Sequence, residues 1–250
     1  MQQVLLTALG IGGATVFGSL LGFAVKRIPH KFNDLILSFA AGVMLAASIM
    51  GLILPAVEIG GNIWIVSAGI LCGALLLNLI DRLVPHMHSL AGVAQEKGEV
   101  PVQQLHKILL FVMAIAIHNF PEGLAAGVSF GTGNVSDAFT VAAGIALQNV
   151  PEGMIIIAPM LAVGISRRRT FLLALATGLV EVVGTLFGYL AVTVASFLLP
   201  FLLALAGGTM LYVIGHDMIP ETYSHGYERG ATYALLIGFM VMLIMDFYIG

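Results

Sequence analysis

Apolar residues along the 250-residue chain gather into eight long runs with short polar breaks between them. The runs lie at about 3–25, 33–55, 62–84, 107–130, 136–163, 170–195, 199–222 and 231–249. Each is close to the ~20 residues that an α-helix needs to cross ~30 Å of hydrocarbon. None shows the two-residue alternation of a barrel strand, which would also leave a much weaker apolar signal. The pattern predicts an all-α membrane protein of eight transmembrane helices, a single polytopic unit over 1–250. Only one connection is long, about 85–106 (PHMHSLAGVAQEKGEVPVQQLH), and it divides the chain into three helices and then five. The opening MQQVLLTALG lacks a basic n-region and a clear cleavage site, so it reads as the first span rather than a signal peptide.

Charge sets the orientation. All ten Lys and Arg fall in odd-numbered loops or at their edges: Lys26, Arg27 and Lys31, then Arg82, Lys97 and Lys107, then Arg167, Arg168 and Arg169, then Arg229. The positive-inside rule puts those loops in the cytoplasm and both termini on the extracellular or periplasmic side. A missed span would scramble the alternation downstream, so the charges also support the count of eight. Short loops point to a bacterial chain and to the cytoplasmic (plasma) membrane.

Composition agrees with this solvent. The chain is 59% hydrophobic and 9% charged, against about 25% charged in a soluble domain. The net charge of −3 and the lack of a basic patch exclude nucleic acid as a partner. The lone cysteine, Cys72, cannot form an intrachain disulfide and reads as a small buried hydrophobe.

Against this background some polar residues lie too deep. HNFPEG (118–123) and QNVPEG (148–153) interrupt the fourth and fifth runs, and Glu181 interrupts the sixth. Counted from the helix starts, His118, Gln148 and Glu181 each lie roughly 16–18 Å in, at 1.5 Å per residue. Asp34, Asp81, Glu96, Glu99, Asp137, Glu228 and Asp246 sit near span ends, where water is close. An ionised carboxylate at mid-membrane costs several kcal/mol unless paired or liganded. No Lys or Arg is deep enough to pair with Glu122, Glu152 or Glu181. A bound cation is the remaining way to keep them ionised.

Helical spacing sorts the donors. His118 and Glu122 are four apart, Asn119 and Glu122 three apart, and Gln148, Asn149 and Glu152 repeat the arrangement. Two such helices face to face would offer two adjacent cation positions bridged by Glu122 and Glu152, the second completed by Glu181. Pro121 and Pro151 deprive the carbonyls of Ile117 and Leu147 of their helical partners and predict kinks beside a cavity. Gly123 and Gly153 remove bulk next to each glutamate.

The pair H-N-x-P-E-G and Q-N-x-P-E-G resembles the ZIP (Zrt/Irt-like) family of divalent metal transporters, in its bacterial branch. Eight spans, outside termini and a histidine-bearing loop after span three match as well. The resemblance implies proline-kinked helices 4 and 5 around a mid-membrane two-metal centre, and an elevator-like movement of those helices. The primary metal would be held by His118, Glu122, Gln148 and Glu152. The secondary metal would be held by Asn119, Asn149 and Glu181, sharing Glu122 and Glu152. Some relatives have Asp where this chain has Asn149. Met44 matches a position near the primary site, with core packing as the other reading. The metal is cargo, and no resident cofactor is implied. Imidazole, carboxylate and amide donors suit Zn²⁺, Cd²⁺, Fe²⁺, Mn²⁺ and Co²⁺, and the absence of Cys argues against Cu(I).

Further candidates line the expected path. GHDMIPE (215–221) offers His216, Asp217 and Glu221 as a relay to the cytoplasm, or simply a solvated helix end. His86 and His88 would hold or sense cytoplasmic metal, and Pro55 with Glu58 would sit at the entrance. GxxxG spacings at Gly18/Gly22, Gly69/Gly73, Gly123/Gly127 and Gly184/Gly188 allow close helix approach, within one chain or in a homodimer. The expected function is secondary transport of divalent metal into the cytoplasm, since no phosphate-binding GxxxxGK[ST] loop is present. The alternative is an intramembrane zinc hydrolase using metal-bound water. HExxH is absent and no nucleophile accompanies the motif. A retinal protein is excluded, because no lysine lies mid-span.

Overall fold

The computed structural model describes residues 1–25, 29–60, 62–90 and 102–250. Among them it is all helical. The helices are α1 (Gln2–Ala24), α2 (30–60), α3 (Ile63–Leu90), α4 (Val102–Ser129), α5 (Val135–Ala162), α6 (Arg167–Val194), α7 (199–222) and α8 (Glu228–Ile249). Each answers to one apolar run of the sequence. Seven of the eight, all but α4, have described segments long and apolar enough to cross a membrane.

The long connection is shorter than the sequence implied. α3 continues through Leu90, and α4 begins at Val102 rather than near 107. Nothing in HMHSL or VQQLH breaks a helix; their polarity marks where hydrocarbon ends, not where the helix ends. Residues 91–101, and the side chains of His86 and His88, lie outside the described residues, and with them the reading of those histidines as metal holders.

α2 and α7 share a feature that apolar periodicity did not announce. Each contains a π-helical stretch, Ala47–Ile53 and Ile214–Met218, ending two residues before a proline, Pro55 or Pro220. A proline leaves the carbonyl four residues earlier without its helical partner, here Gly51 and His216. The wider i→i+5 turn absorbs that defect without ending the helix. α4 and α5 remain α-helical through Pro121 and through Pro151 and Pro159.

The helices pack in two groups. α1, α4, α5 and α6 form one, through the pairs α1–α5, α4–α6 and α1–α6. α2, α3, α7 and α8 form the other, through α2–α8, α3–α7 and α2–α7. The groups meet where α5 lies on α2 and α4 lies on α7. Ala40, Met44, Ala47, Ile145, Ile156, Leu203 and Met210 fill the apolar core at and around that contact.

A two-fold relation runs through this packing. A β-carbon on Gly18 would strike the carbonyl oxygen of Val150, and one on Gly184 would strike that of Phe120. Gly153 sits on the Thr15 carbonyl as Gly123 sits on that of Glu181. Gly42 meets Leu235 as Gly208 meets Ile70, and Gly238 meets Phe39 as Gly73 meets Leu205. Helices 1–3 thus correspond to 6–8, and α4 to α5. α1 and α6 cross antiparallel, Gly12 meeting Val182 while Gly178 meets Val16, so the halves are inverted, as in many secondary transporters.

Two residues differ from their sequence reading. Cys72 is exposed on α3 rather than buried. In lipid the outer face is as apolar as the core, so hydrophobicity does not separate them. Asp34, expected at a solvated helix end, is fully buried and lies 3.1 Å from Nδ1 of His225. The connection between α7 and α8, remote in sequence, folds over that end of α2.

The glycine contacts are testable by unfolding in detergent. Gly42→Ala drives a β-carbon into the backbone of α8 and is expected to cost about 1–3 kcal/mol, as overpacking does. Gly13→Ala meets open space and is expected to leave the midpoint unchanged or slightly raised, given the better helix propensity of alanine.

Candidate metal centre

The duplicated motif brings its polar residues together from three helices. α4 supplies His118, Asn119 and Glu122, α5 supplies Gln148, Asn149 and Glu152, and α6 supplies Glu181. All seven are buried, and only His118 and Glu152, 8% and 6% exposed, border open space. The small neighbours account for this. Gly123 and Gly153 let α6 and α1 press against the motif backbone, leaving no room for water on that side.

Two clusters result. In the first, Gln148 Nε2 donates to Glu122 Oε1 at 2.8 Å. Glu152 lies one helical step beyond Gln148 on the same face of α5. His118 Nε2 stands 3.2 Å from Asp217 Oδ2 of α7, without the alignment of a hydrogen bond. In the second, Glu181 accepts three hydrogen bonds. Asn119 Nδ2 donates to Oε1 at 2.6 Å and Asn149 Nδ2 to Oε2 at 2.7 Å. The third donor is Thr15 Oγ1 of α1, 2.6 Å from Oε1.

Thr15 escaped the sequence reading. It sits in a Gly-rich apolar run that offers no motif, and only the two-fold relation, which sets Thr15 of α1 against Glu181 of α6, marks it out. The same relation shows in the asparagines. Asn119 Nδ2 also reaches the Thr177 carbonyl and Asn149 Nδ2 the Ile11 carbonyl, each at 3.2 Å.

What the amides and carboxylates leave over is informative. Asn119 Oδ1, Asn149 Oδ1, Gln148 Oε1, Glu122 Oε2 and Glu152 Oε1 are buried acceptors with no donor. Buried polar atoms nearly always find partners, and five unfilled oxygens in one place favour a cation. Among the described residues, no three His, Cys, Asp or Glu side chains gather tightly enough to hold an ion by themselves. Amides stand between the carboxylates, Gln148 against Glu122 and both asparagines against Glu181.

A cavity of about 390 Å³ opens beside the first cluster. Leu37, Ile115, His118, Glu152, Ile155, Val213, His216, Asp217, Met218, Pro220 and Glu221 line it. The three candidate relay residues of α7 therefore share one space with His118 and Glu152. Asp217 Oδ1 lies 3.3 Å from His216 Nδ1, continuing the line from His118. Met44 is 1% exposed and belongs to the apolar core. Glu58, read as an entrance residue, is exposed and Pro55 half-buried near the far end of α2.

Comparison with known proteins is consistent across the chain. A family model described as ZIP Zinc transporter matches residues 93–246. The zinc transporter GufA of Myxococcus xanthus is 40% identical over 258 residues, covering 100% of both chains. The zinc transporter ZIPB of Bordetella bronchiseptica is 36% identical over 95% of this chain and 78% of its own. The human zinc transporter ZIP11 is 30% identical over 99% of this chain and 97% of its own.

The Glu181 cluster predicts a graded loss of stability. Glu181→Ala strands three buried donors, each worth about 1–3 kcal/mol when left unsatisfied. Its unfolding midpoint in detergent is expected well below wild type. Glu181→Gln keeps an acceptor oxygen and is expected to fall in between.

Proposed function

The chain belongs to the ZIP zinc transporter family, and on that premise we propose that it carries Zn²⁺ and related divalent ions, Cd²⁺, Fe²⁺, Mn²⁺ and Co²⁺ among them, across the membrane into the cytoplasm. It is a multi-pass integral membrane protein. The observation that carries the reading is the set of five unfilled oxygens around the duplicated motif, at the inner end of a cavity. The family is one of transporters, not enzymes, which removes the hydrolase alternative.

In this reading His118, Glu122, Gln148 and Glu152 hold the ion. The carboxylates supply charge, and His118 and Gln148 complete the donor set. Asn119, Asn149 and Glu181 form a second donor set one helical step away, sharing Glu122 and Glu152. Pro121 and Pro151 free the carbonyls of Ile117 and Leu147 beside these sites. One imidazole and no thiolate make a binding site from which the ion can leave.

The cavity supports exit toward the cytoplasm. Its lining runs from His118 and Glu152 to Pro220 and Glu221, next to the α7–α8 connection, which the distribution of Lys and Arg assigns to the cytoplasm. An ion leaving His118 and Glu152 meets Asp217, His216 and Glu221 in turn, so it exchanges ligands rather than losing them at once. The division into two helix groups suits alternating access, with α1, α4, α5 and α6 moving against α2, α3, α7 and α8. The cytoplasmic membrane is the expected location, and a homodimer is compatible with the small-residue faces.

Two experiments test the reading. Purified protein in liposomes with an internal dye is expected to admit Zn²⁺ and Cd²⁺ saturably, while Glu152→Ala and Glu122→Ala, folded, admit neither. Wild-type rates in either variant would remove the duplicated motif from the mechanism. For orientation, Glu221→Cys in a Cys72→Ser background is expected to react with a membrane-impermeant thiol reagent from the cytoplasmic side and not from the other. Labelling from outside alone would reverse the topology.

A further inference from the structure

We propose that the centre holds one divalent ion at a time, because the second donor set is closed by hydrogen bonds around Glu181 and lacks the charge for a second ion. The inference rests on the transport reading and sharpens it to a stoichiometry, with Thr15 as the positioning residue and Asn149 as the determinant.

The first support is geometric. Glu181 has both carboxylate oxygens engaged, Oε1 by Thr15 and Asn119, Oε2 by Asn149. These three neutral donors satisfy the carboxylate without a cation. The arrangement is built on the internal two-fold. Asn119 and Asn149 correspond to each other, and so do the carbonyls of Thr177 and Ile11 on which their amides also rest. Glu181 and Thr15 are the remaining pair of the same relation. The carboxylate thus reaches across the axis to both asparagines, and the residue set opposite it is a short hydroxyl donor rather than a second acid. Asn119 and Asn149 keep Oδ1 without a donor, but turning both amides toward an ion beside Glu181 would cost that carboxylate two of its three bonds and leave it only Thr15.

The second support is electrostatic. Glu122 is bonded to Gln148, one helical step from Glu152, and Glu181 is bonded to Asn149, also one step from Glu152. The three glutamates therefore form one buried site that can carry at most three negative charges. Two divalent ions would bring four positive charges, and an unmatched charge at that depth is strongly disfavoured. One divalent ion raises no such excess. Asp217 does not make up the difference. It lies on the cavity side of His118, 35% exposed and against His216, where water screens it. An aspartate at position 149 would supply a fourth charge inside the site and remove the amide that caps Glu181 Oε2.

The test counts ions. Purified full-length chain in detergent is dialysed against Cd²⁺ or Zn²⁺, and bound metal per chain is measured by elemental analysis. Wild type is expected to saturate at one ion. Asn149→Asp is expected to rise to two. Thr15→Asp, which adds the fourth carboxylate from α1 across from Glu181, is expected to do the same. Gain of an ion in Thr15→Asp separates positioning from a merely structural role, since structural damage would lose binding instead. If one variant fails to fold, the other and the wild-type count still decide. Two ions on wild type would overturn the proposal, as would one ion on a folded Asn149→Asp and a folded Thr15→Asp. No saturable binding by wild type would instead sink the transport reading, and this inference with it.

Discussion

The structure depends on one constraint, that carboxylates are buried in a low-dielectric layer with no cationic side chain among them. Lys and Arg are confined to the edges of the apolar runs and the stretches between them, so Glu122, Glu152 and Glu181 must be satisfied by other means. The chain uses two. Glu181 is filled by three neutral donors drawn from α1, α4 and α5. Glu122 and Glu152 each keep an oxygen that nothing fills. The first solution fixes helices to one another. The second leaves unmet demand for positive charge, and a transporter can meet that demand with its cargo.

Such a site needs helices that approach closely enough to exclude water and lipid. In a membrane no hydrophobic force drives one helix against another, so contact depends on close packing and polar bonds. Glycine supplies the first. Gly18, Gly123, Gly153 and Gly184 each let a neighbouring backbone in to where a side chain would stand. The asparagines supply the second, each reaching a backbone carbonyl of the facing helix as well as Glu181. The glycines and the polar residues of the motif are therefore one design. In each copy Pro frees the carbonyl four residues earlier, and the Glu and Gly that follow it add a carboxyl group and a point of close approach.

Much of this was legible in the sequence. Eight apolar runs became eight helices, and HNFPEG and QNVPEG announced their pairing by matching at equal depth. The donors that the spacing put on shared faces do converge, with Gln148 on Glu122 and both asparagines on Glu181. The omissions have physical causes. Thr15 carries no motif, and its role exists only through the fold that sets α1 against α6. Asp34 read as solvated because the loop that covers it comes almost two hundred residues later. Cys72 read as buried because apolarity marks lipid-facing and core positions alike. The polar ends of α3 and α4 read as loop because hydropathy measures the solvent, not the backbone.

The two-fold also exposes a difference that bears on direction. If the halves were identical, ways out to either side would be equivalent. They are not. Where α7 carries His216, Asp217 and Met218 in its π-helical turn, the stretch of α2 at the same distance before its proline carries Gly51, Leu52 and Ile53. Where α4 opens its motif with His118, α5 has Gln148. The charged and imidazole groups thus fall together, at 3.2 Å between His118 and Asp217, in the lining of the cavity. The related positions on the other side are apolar or amide, and Gly51 and Leu52 are buried. On the proposed transport reading, an ion moving toward α7 would meet successive ligands. One moving toward the matching turn of α2 would meet apolar side chains, and exit that way would carry the cost of a desolvated charge. The chemical asymmetry lies in a few side chains, while the backbone beneath them keeps its two-fold symmetry.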